Sequence, residues 1–192
     1  AGETGGGFAG CLSGAALSWL DQNDTGSRER TQALWPTEIL DVRERGRVVC
    51  IAGWPRTTPQ PEQAETASVA HRLATMDLDV GALSSLGLRG RYALAVVCRR
   101  SRAVLLVTDR MGSIPLCFST RDGKVAFATA IEPLTSTVAT GTEHDELSPQ
   151  ALYDYVYFHV IPAPSAIYRD MTKLRAAECC RISADGVIER CR

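Results

Sequence analysis

Between Arg91 and Ala128 the chain holds four short apolar runs, Arg91 to Cys98, Ala103 to Thr108, Leu116 to Thr120 and Lys124 to Ala128, separated by turn residues. Runs of this length rich in Val, Leu, Tyr and Phe read as strands, and their succession predicts an antiparallel meander. Arg121-Asp122-Gly123 supplies one hairpin turn, because Asp-Gly tolerates the positive backbone angles that a tight turn needs. A second hairpin is expected to pair Cys179 to Ser183 with Val187 to Arg190 across Ala184-Asp185-Gly186.

Helices interrupt this pattern at a few places. Gly7 to Ser13 reads as a strand whose glycines let another backbone come close, and Asp21 to Arg30 as a polar surface loop. Arg47 to Gly53 reads as a strand ended by Gly53, followed by an extended stretch with three prolines between Pro55 and Pro61. A helix is predicted from about Glu62 to Ala74, carrying Ala67, Val69, Ala70, Leu73 and Ala74, and a short one around Ile131 to Ser136. Ser148-Pro149 gives an N-cap with proline at the first helical position, leading into Leu152, Tyr155, Val156 and Phe158 on one side. There is no internal repeat, low-complexity tract or linker, so residues 1–192 are expected to form a single α+β domain with sheets packed face to face or against helices.

Composition narrows the partners. With 192 residues the chain is long enough to bury roughly 70% of its unfolded surface in one core. Lys and Arg number 21 against 22 Asp and Glu, so no basic excess exists to hold nucleic acid or an anionic membrane. No apolar run approaches the ~20 residues of a membrane span, and the first residues lack the basic and apolar regions of a signal peptide, which together lead to an expectation of a cytoplasmic protein. The seven cysteines show no CxxC spacing, so neither a disulfide framework nor a metal site is expected. Cys50 and Cys98 lie in apolar runs and read as buried thiols, and Cys179 and Cys180 should face opposite sides of a strand. His71, His144 and His159 are too scattered to form a metal motif; the first two read as solvated and the third as packed near Pro162.

Four stretches, taken in order, resemble the glutamine amidotransferase domain at the front of the asparagine synthetase family, a class II amidotransferase of the N-terminal-nucleophile hydrolase type. They are Leu88 to Val96, with its Leu-x-Gly-x-aromatic-Ala pattern; Thr108 to Leu116, similar to the family's Asp-Arg-x-Gly-x-x-Pro-Leu turn; Gly123 to Thr129; and Phe158 to Tyr168 with Lys173-Leu174. The resemblance covers about residues 88 to 188. It implies an Ntn-hydrolase-like four-layer α-β-β-α sandwich of two mostly antiparallel sheets.

The family's chemistry uses an N-terminal Cys whose thiolate attacks the glutamine side-chain amide, with the α-amine of the same residue as base. The oxyanion is held by an Asn side chain and a Gly backbone N–H. By resemblance, Gly6-Gly7-Phe8-Ala9-Gly10 aligns with Cys-Gly-Ile-Ala-Gly, placing Gly6 at the nucleophile position. Ala52-Gly53-Trp54 stands where the family has Asn-Gly-Glu, which puts Ala52 and Gly53 at the oxyanion positions and Trp54 at the acidic one, where its ring would plug the vacated pocket. Glu65-Thr66-Ala67-Ser68 lies where the family places an Asp that grips the substrate α-amine, and Arg30 is the candidate for its carboxylate. Gly53, Trp54, Asp109 and Arg110 are the candidate substrate-binding residues, with an ion-paired bracing role expected of the Asp109-Arg110 turn. Cys11 and Thr4 are the other candidate nucleophiles; the first breaks the glycine register and reads as a structural thiol, and the second has no base or oxyanion partner.

The resemblance therefore implies the amidotransferase-like N-terminal domain of an asparagine-synthetase-like, ATP-dependent amide-forming ligase, with no catalytic residue intact, the glutaminase lost and a scaffolding role. Degenerate relatives of this kind include the β-lactam synthetases and lasso-peptide cyclases, which form amides without ammonia. The alternatives are an active glutaminase supplying ammonia for asparagine synthesis, and a binding module that keeps the pocket without turnover. No cofactor is expected in this chain; ATP and Mg belong to the synthetase domain, which is absent from residues 1–192 and is the expected partner, fused or separate. Glutamine and a second copy of the chain are the further partners to which the resemblance points.

Overall fold

The computed structural model describes residues 9–13, 16–19, 36–57, 66–76, 83, 86–121, 123–131, 134 and 146–191. Eleven strands are seen among them: β1 (Ala9–Ser13), β2 (Ala16–Trp19), β3 (Thr37–Val42), β4 (Arg47–Thr57), β5 (Leu88–Cys98), β6 (Ala103–Thr108), β7 (Cys117–Arg121), β8 (Lys124–Ala128), β9 (Thr172–Lys173), β10 (Cys179–Ile182) and β11 (Ile188–Cys191). Two α-helices accompany them, α1 (Thr66–Thr75) and α2 (Pro149–Phe158). The strands form a six-stranded sheet in the order β11-β10-β6-β5-β4-β3 and a five-stranded sheet in the order β2-β1-β8-β7-β9, every pair antiparallel.

The two sheets pack face to face. Val48, Cys50 and Ala52 of β4, Ala93, Ala95 and Val97 of β5, and Val104 and Leu106 of β6 meet Phe118, Val125 and Phe127 of the other sheet in one buried cluster. Residues of the opposite parity, Val49, Ile51, Leu94 and Val96, pack outward against Val69, Ala70, Leu73 and Ala74 of α1. Because both faces of β5 and β6 are covered, these strands read as continuous apolar runs instead of alternating ones, and Ala93 to Val97 are all 0% exposed. On the far face of the five-stranded sheet, Cys117, Ala126 and Ala128 pack under Leu134, Ala166 and Met171. The order helix, sheet, sheet and outer cover is the α+β sandwich expected from the sequence.

Several local expectations hold. Arg121 pairs with Lys124 across a two-residue turn whose Gly123 has φ +69°, and Cys179–Ile182 pairs in register with Ile188–Cys191. Ser148 Oγ accepts the Ala151 N–H at 3.3 Å, which caps α2 as its sequence requires. Cys50 and Cys98 are buried, and Cys179 and Cys180 enter different clusters on opposite faces.

Others are corrected. The four central strands are not one meander: β5 and β6 lie in the six-stranded sheet, and β7 and β8 in the other. Residues 109–116 carry the chain across because Asp109 folds them into a hydrogen-bonded turn, so β6 cannot simply hairpin into β7. Strand β4 does not end at Gly53 but runs to Thr57 with Pro55 inside it, paired throughout with β5. Pro55 is accommodated because β3 pairs with β4 only as far as Ala52, so the next residues have a ladder on one side alone. Helix α2 buries only Ala151, while Leu152, Tyr155, Val156 and Phe158 are exposed. His159 is also exposed and ends α2 in a left-handed conformation, its N–H bonded to Tyr155 O at 2.8 Å. Ala67 faces solvent on α1, and the short helix around Ile131 to Ser136 lies mostly outside the described residues.

Candidate functional site

The site implied by the resemblance lies where β4 and β5 outrun their neighbours. Thr37 is the last residue of β3 to pair with β4, opposite Ala52, and β6 meets β5 only from Ala93 onward. Residues 53–57 and 88–92 therefore project as a two-stranded ribbon. At its root Ala52 is 0% exposed and offers a methyl group, with no amide that could donate to an oxyanion. Beside it the Gly53 N–H donates to the Pro36 carbonyl at 2.9 Å. The one backbone donor that the sequence retains at this position is thus already used inside the sheet.

Glycine is required at both ends of this crossing. Gly53 has φ +97° and Gly90 φ +103°. A Cβ at Gly53 would stand 2.2 Å from Arg91 O and 2.8 Å from Ile114 Cδ1, and one at Gly90 would stand 2.2 Å from Trp54 O. The strands approach so closely that only hydrogen fits, and this fixes Trp54 directly opposite Arg91.

Asp109 anchors the ribbon from the side. It is 1% exposed, and its carboxylate accepts from the N–H groups of Tyr92 (3.1 Å), Met111 (2.8 Å) and Ser113 (3.0 Å) and from Ser113 Oγ (3.1 Å). Its own N–H bonds to Tyr92 O at 3.1 Å, and its carbonyl accepts from Gly112 and Ala177. Tyr92 is 5% exposed, and burial, with Asp109 adding to it, pushes its phenol up to about 12, so it stays protonated. Arg110 points to solvent. The ion-paired turn expected here is corrected: among the described residues the charge of Asp109 is met by N–H and O–H donors, because the tight turn aims the Met111 and Ser113 N–H groups at it and β5 adds that of Tyr92.

Trp54 is 48% exposed and so is not a buried plug. Gly53, Trp54, Asp109 and Arg110 are gathered around the root of the ribbon, whereas Gly6, Thr4, Arg30 and the Cys11 side chain lie outside the described residues. Of the stretch expected near the substrate amine, Thr66, Ala67 and Ser68 form the first turn of α1 and Glu65 is not described. Sequence reasoning missed Pro36 and β3, since no alternating pattern marks residues 37–42, and gave Gly90 no structural role although it sits in the Leu-x-Gly pattern. Among the described residues no group of three His, Cys, Asp or Glu side chains is placed to hold a metal.

No curated protein sequence matches the chain. Two solved structures are similar to this chain: the allosteric regulatory enzyme of purine biosynthesis (14% identity, TM-score 0.41, covering 78% of this chain and 29% of that one), and the glutamine phosphoribosylpyrophosphate amidotransferase from B. subtilis complexed with ADP and GMP (15% identity, TM-score 0.44, covering 98% and 43%). This chain spans less than half the length of either. The family described as the glutamine amidotransferase domain matches residues 60–191, more than half of the sequence, including Gly90, Asp109 and the last hairpin. The chain belongs to the glutamine amidotransferase domain family.

Proposed function

We propose that this chain is the amidotransferase-like N-terminal domain of an asparagine-synthetase-like, ATP-dependent amide-forming ligase, that it no longer hydrolyses glutamine, and that it serves the synthetase domain as a scaffold. The observation that carries the loss of activity is the Gly53 N–H bonded to Pro36 O at 2.9 Å beside a buried Ala52. An oxyanion hole works through donors preorganised for the developing charge, and loss of one alone costs about 10²- to 10³-fold. Here neither the side chain nor the backbone N–H is available. The sequence register that places Gly6 at the nucleophile position supports the same reading, since glycine has no group that can attack.

Under this reading ATP and Mg are used by the synthetase partner, fused or separate, and no nucleic acid or membrane takes part. No helix among the described residues is long and apolar enough to cross a membrane, and a cytoplasmic location goes with the reading. The test is release of glutamate from glutamine by the purified chain against a heat-killed control. No release above control is expected. Release that a thiol-alkylating glutamine analogue blocks would overturn the proposal, and the labelled cysteine would identify the nucleophile.

A further inference from the structure

The face of β4 and β5 that is buried between the sheets as far as Ala52 and Ala93 emerges into solvent on the ribbon. Val48, Cys50 and Ala52 on β4 and Ala93, Ala95 and Val97 on β5 line the inter-sheet core. The same parity continues with Trp54 and Arg56 on β4 and with Arg91 and Arg89 on β5, all four exposed, while Pro55, Thr57 and Tyr92 on the other parity are buried. The register sets Trp54 opposite Arg91 and Arg56 opposite Arg89. Three guanidinium groups and an indole thus share two adjacent rungs of one face, rungs about 7 Å apart along the strand and about 5 Å across it.

This arrangement is unfavourable by itself. Like charges directly opposite one another destabilise a strand pair. Some arginines elsewhere have carboxylate partners, as in Arg99–Asp41, Arg121–Asp170, Arg181–Glu189 and Arg190–Glu178, and others, Arg45, Arg72 and Arg100, donate to a carbonyl or hydroxyl oxygen. Among the described residues none of the ion pairs includes Arg56, Arg89 or Arg91. The backbone beneath them fixes their spacing, with Gly53 and Gly90 at positive φ and so close to the partner strand that no Cβ fits. Asp109 then pins Tyr92, the residue next to Arg91, from the side. Like charges held together on an exposed face by a fixed strand register mark a position shaped for something other than stability.

We infer that Trp54, Arg56, Arg89 and Arg91 form a binding site for a phosphate monoester that carries a planar ring. The guanidinium fork matches phosphate oxygens two at a time. A phosphate dianion offers enough charge and acceptors to be shared by arginines on both rungs, which a single carboxylate does not. The half-exposed indole at the level of Arg91 supplies a flat apolar surface for the ring. The site needs neither glutamine nor a nucleophile, so it stands independently of the scaffold reading.

The test titrates the purified chain calorimetrically with adenosine 5′-monophosphate, ribose 5-phosphate and an unstructured glutamate-rich peptide. Both phosphates should bind saturably at one site, the nucleotide more tightly. The double variant R56Q/R89Q should weaken both at least tenfold, and W54A should remove only the advantage of the nucleotide. R56Q and R89Q singly should raise Tm without ligand, because each relieves the repulsion, so lost binding is not confused with lost folding. Absence of saturable binding for both phosphates, equal affinity in the double variant, or tighter binding of the peptide would overturn the assignment.

Discussion

Tyr92 and Asp109 hold each other twice, the Asp109 N–H donating to Tyr92 O at 3.1 Å and the Tyr92 N–H donating to Asp109 Oδ2 at 3.1 Å. The pair ties the ribbon root to the turn that carries the chain from one sheet to the other. Asp109→Ala would strand the buried N–H of Tyr92 and the part-buried ones of Met111 and Ser113, at about 1–3 kcal/mol for each that water does not reach. The expected loss is about 3 kcal/mol or more in denaturant unfolding, and Asp109→Asn should recover little because its NH2 faces donors. A loss below 1 kcal/mol for Asp109→Ala would mean that the turn does not depend on this carboxylate.

The two ribbon glycines should be far less replaceable than an equally left-handed glycine elsewhere. Gly53→Ala and Gly90→Ala each force a Cβ to 2.2 Å from a backbone oxygen, whereas Gly123 has φ +69° with nothing within 4 Å of its Cβ position. Gly123→Ala is expected to cost about 1 kcal/mol, the left-handed penalty alone. The ribbon variants should cost at least twice that and unpair Trp54 from Arg91. Equal Tm losses at all three positions would refute the close approach.

These same positions show what the sequence made legible. The strands from Arg91 onward, both hairpins and the Ser148 cap were readable because each has a local cause: an apolar run, an Asp-Gly or Gly turn, a capping hydroxyl. The division of the strands between two sheets was not, since nothing in residues 109–116 taken alone says that Asp109 will collect three N–H groups. Likewise Pro55 reads as a strand breaker until it is known that β4 has lost its β3 neighbour there. The residue types at Ala52 and Trp54 were legible, but the bond from Gly53 to Pro36 depends on a strand that carries no pattern of its own.

Asp41 and Arg99 provide a pH-dependent contribution. The Arg99 guanidinium donates to both Asp41 oxygens, at 2.8 and 3.2 Å, and this hydrogen bonding holds the carboxyl below its ordinary value of 3.8 against the opposing effect of burial. A depressed folded pKa means that the stabilisation is fully present above the unfolded value and is lost as pH falls through the folded one. Since both side chains are about a third exposed, Asp41→Asn should cost under about 1 kcal/mol at neutral pH. The difference in Tm from the parent chain should vanish at about pH 2. A difference that persists there would assign the effect to packing instead of charge.

Thiol reactivity should follow burial. Cys50 is 0% exposed, with its thiol pushed well above the ordinary range by desolvation, whereas Cys191 lies partly exposed on the edge strand. Iodoacetamide on the native protein should label Cys191 well before Cys50, which should react only after denaturation, as read by peptide mass spectrometry. Early labelling of Cys50 would show that the core between the sheets opens under native conditions.

Restoring one residue should not restore the chemistry. Ala52→Asn supplies the side-chain amide that glutamine-hydrolysing relatives are expected to use, yet the position is 0% exposed and faces the inter-sheet core beside Ala93. The larger polar group should cost about 1–3 kcal/mol by overpacking, and glutamate release should stay at background because the Gly53 N–H still serves Pro36 O. A variant in which the substitution alone produced measurable glutamate would show that Gly53 exchanges its sheet partner for an oxyanion, and the scaffold reading would then lose its main support.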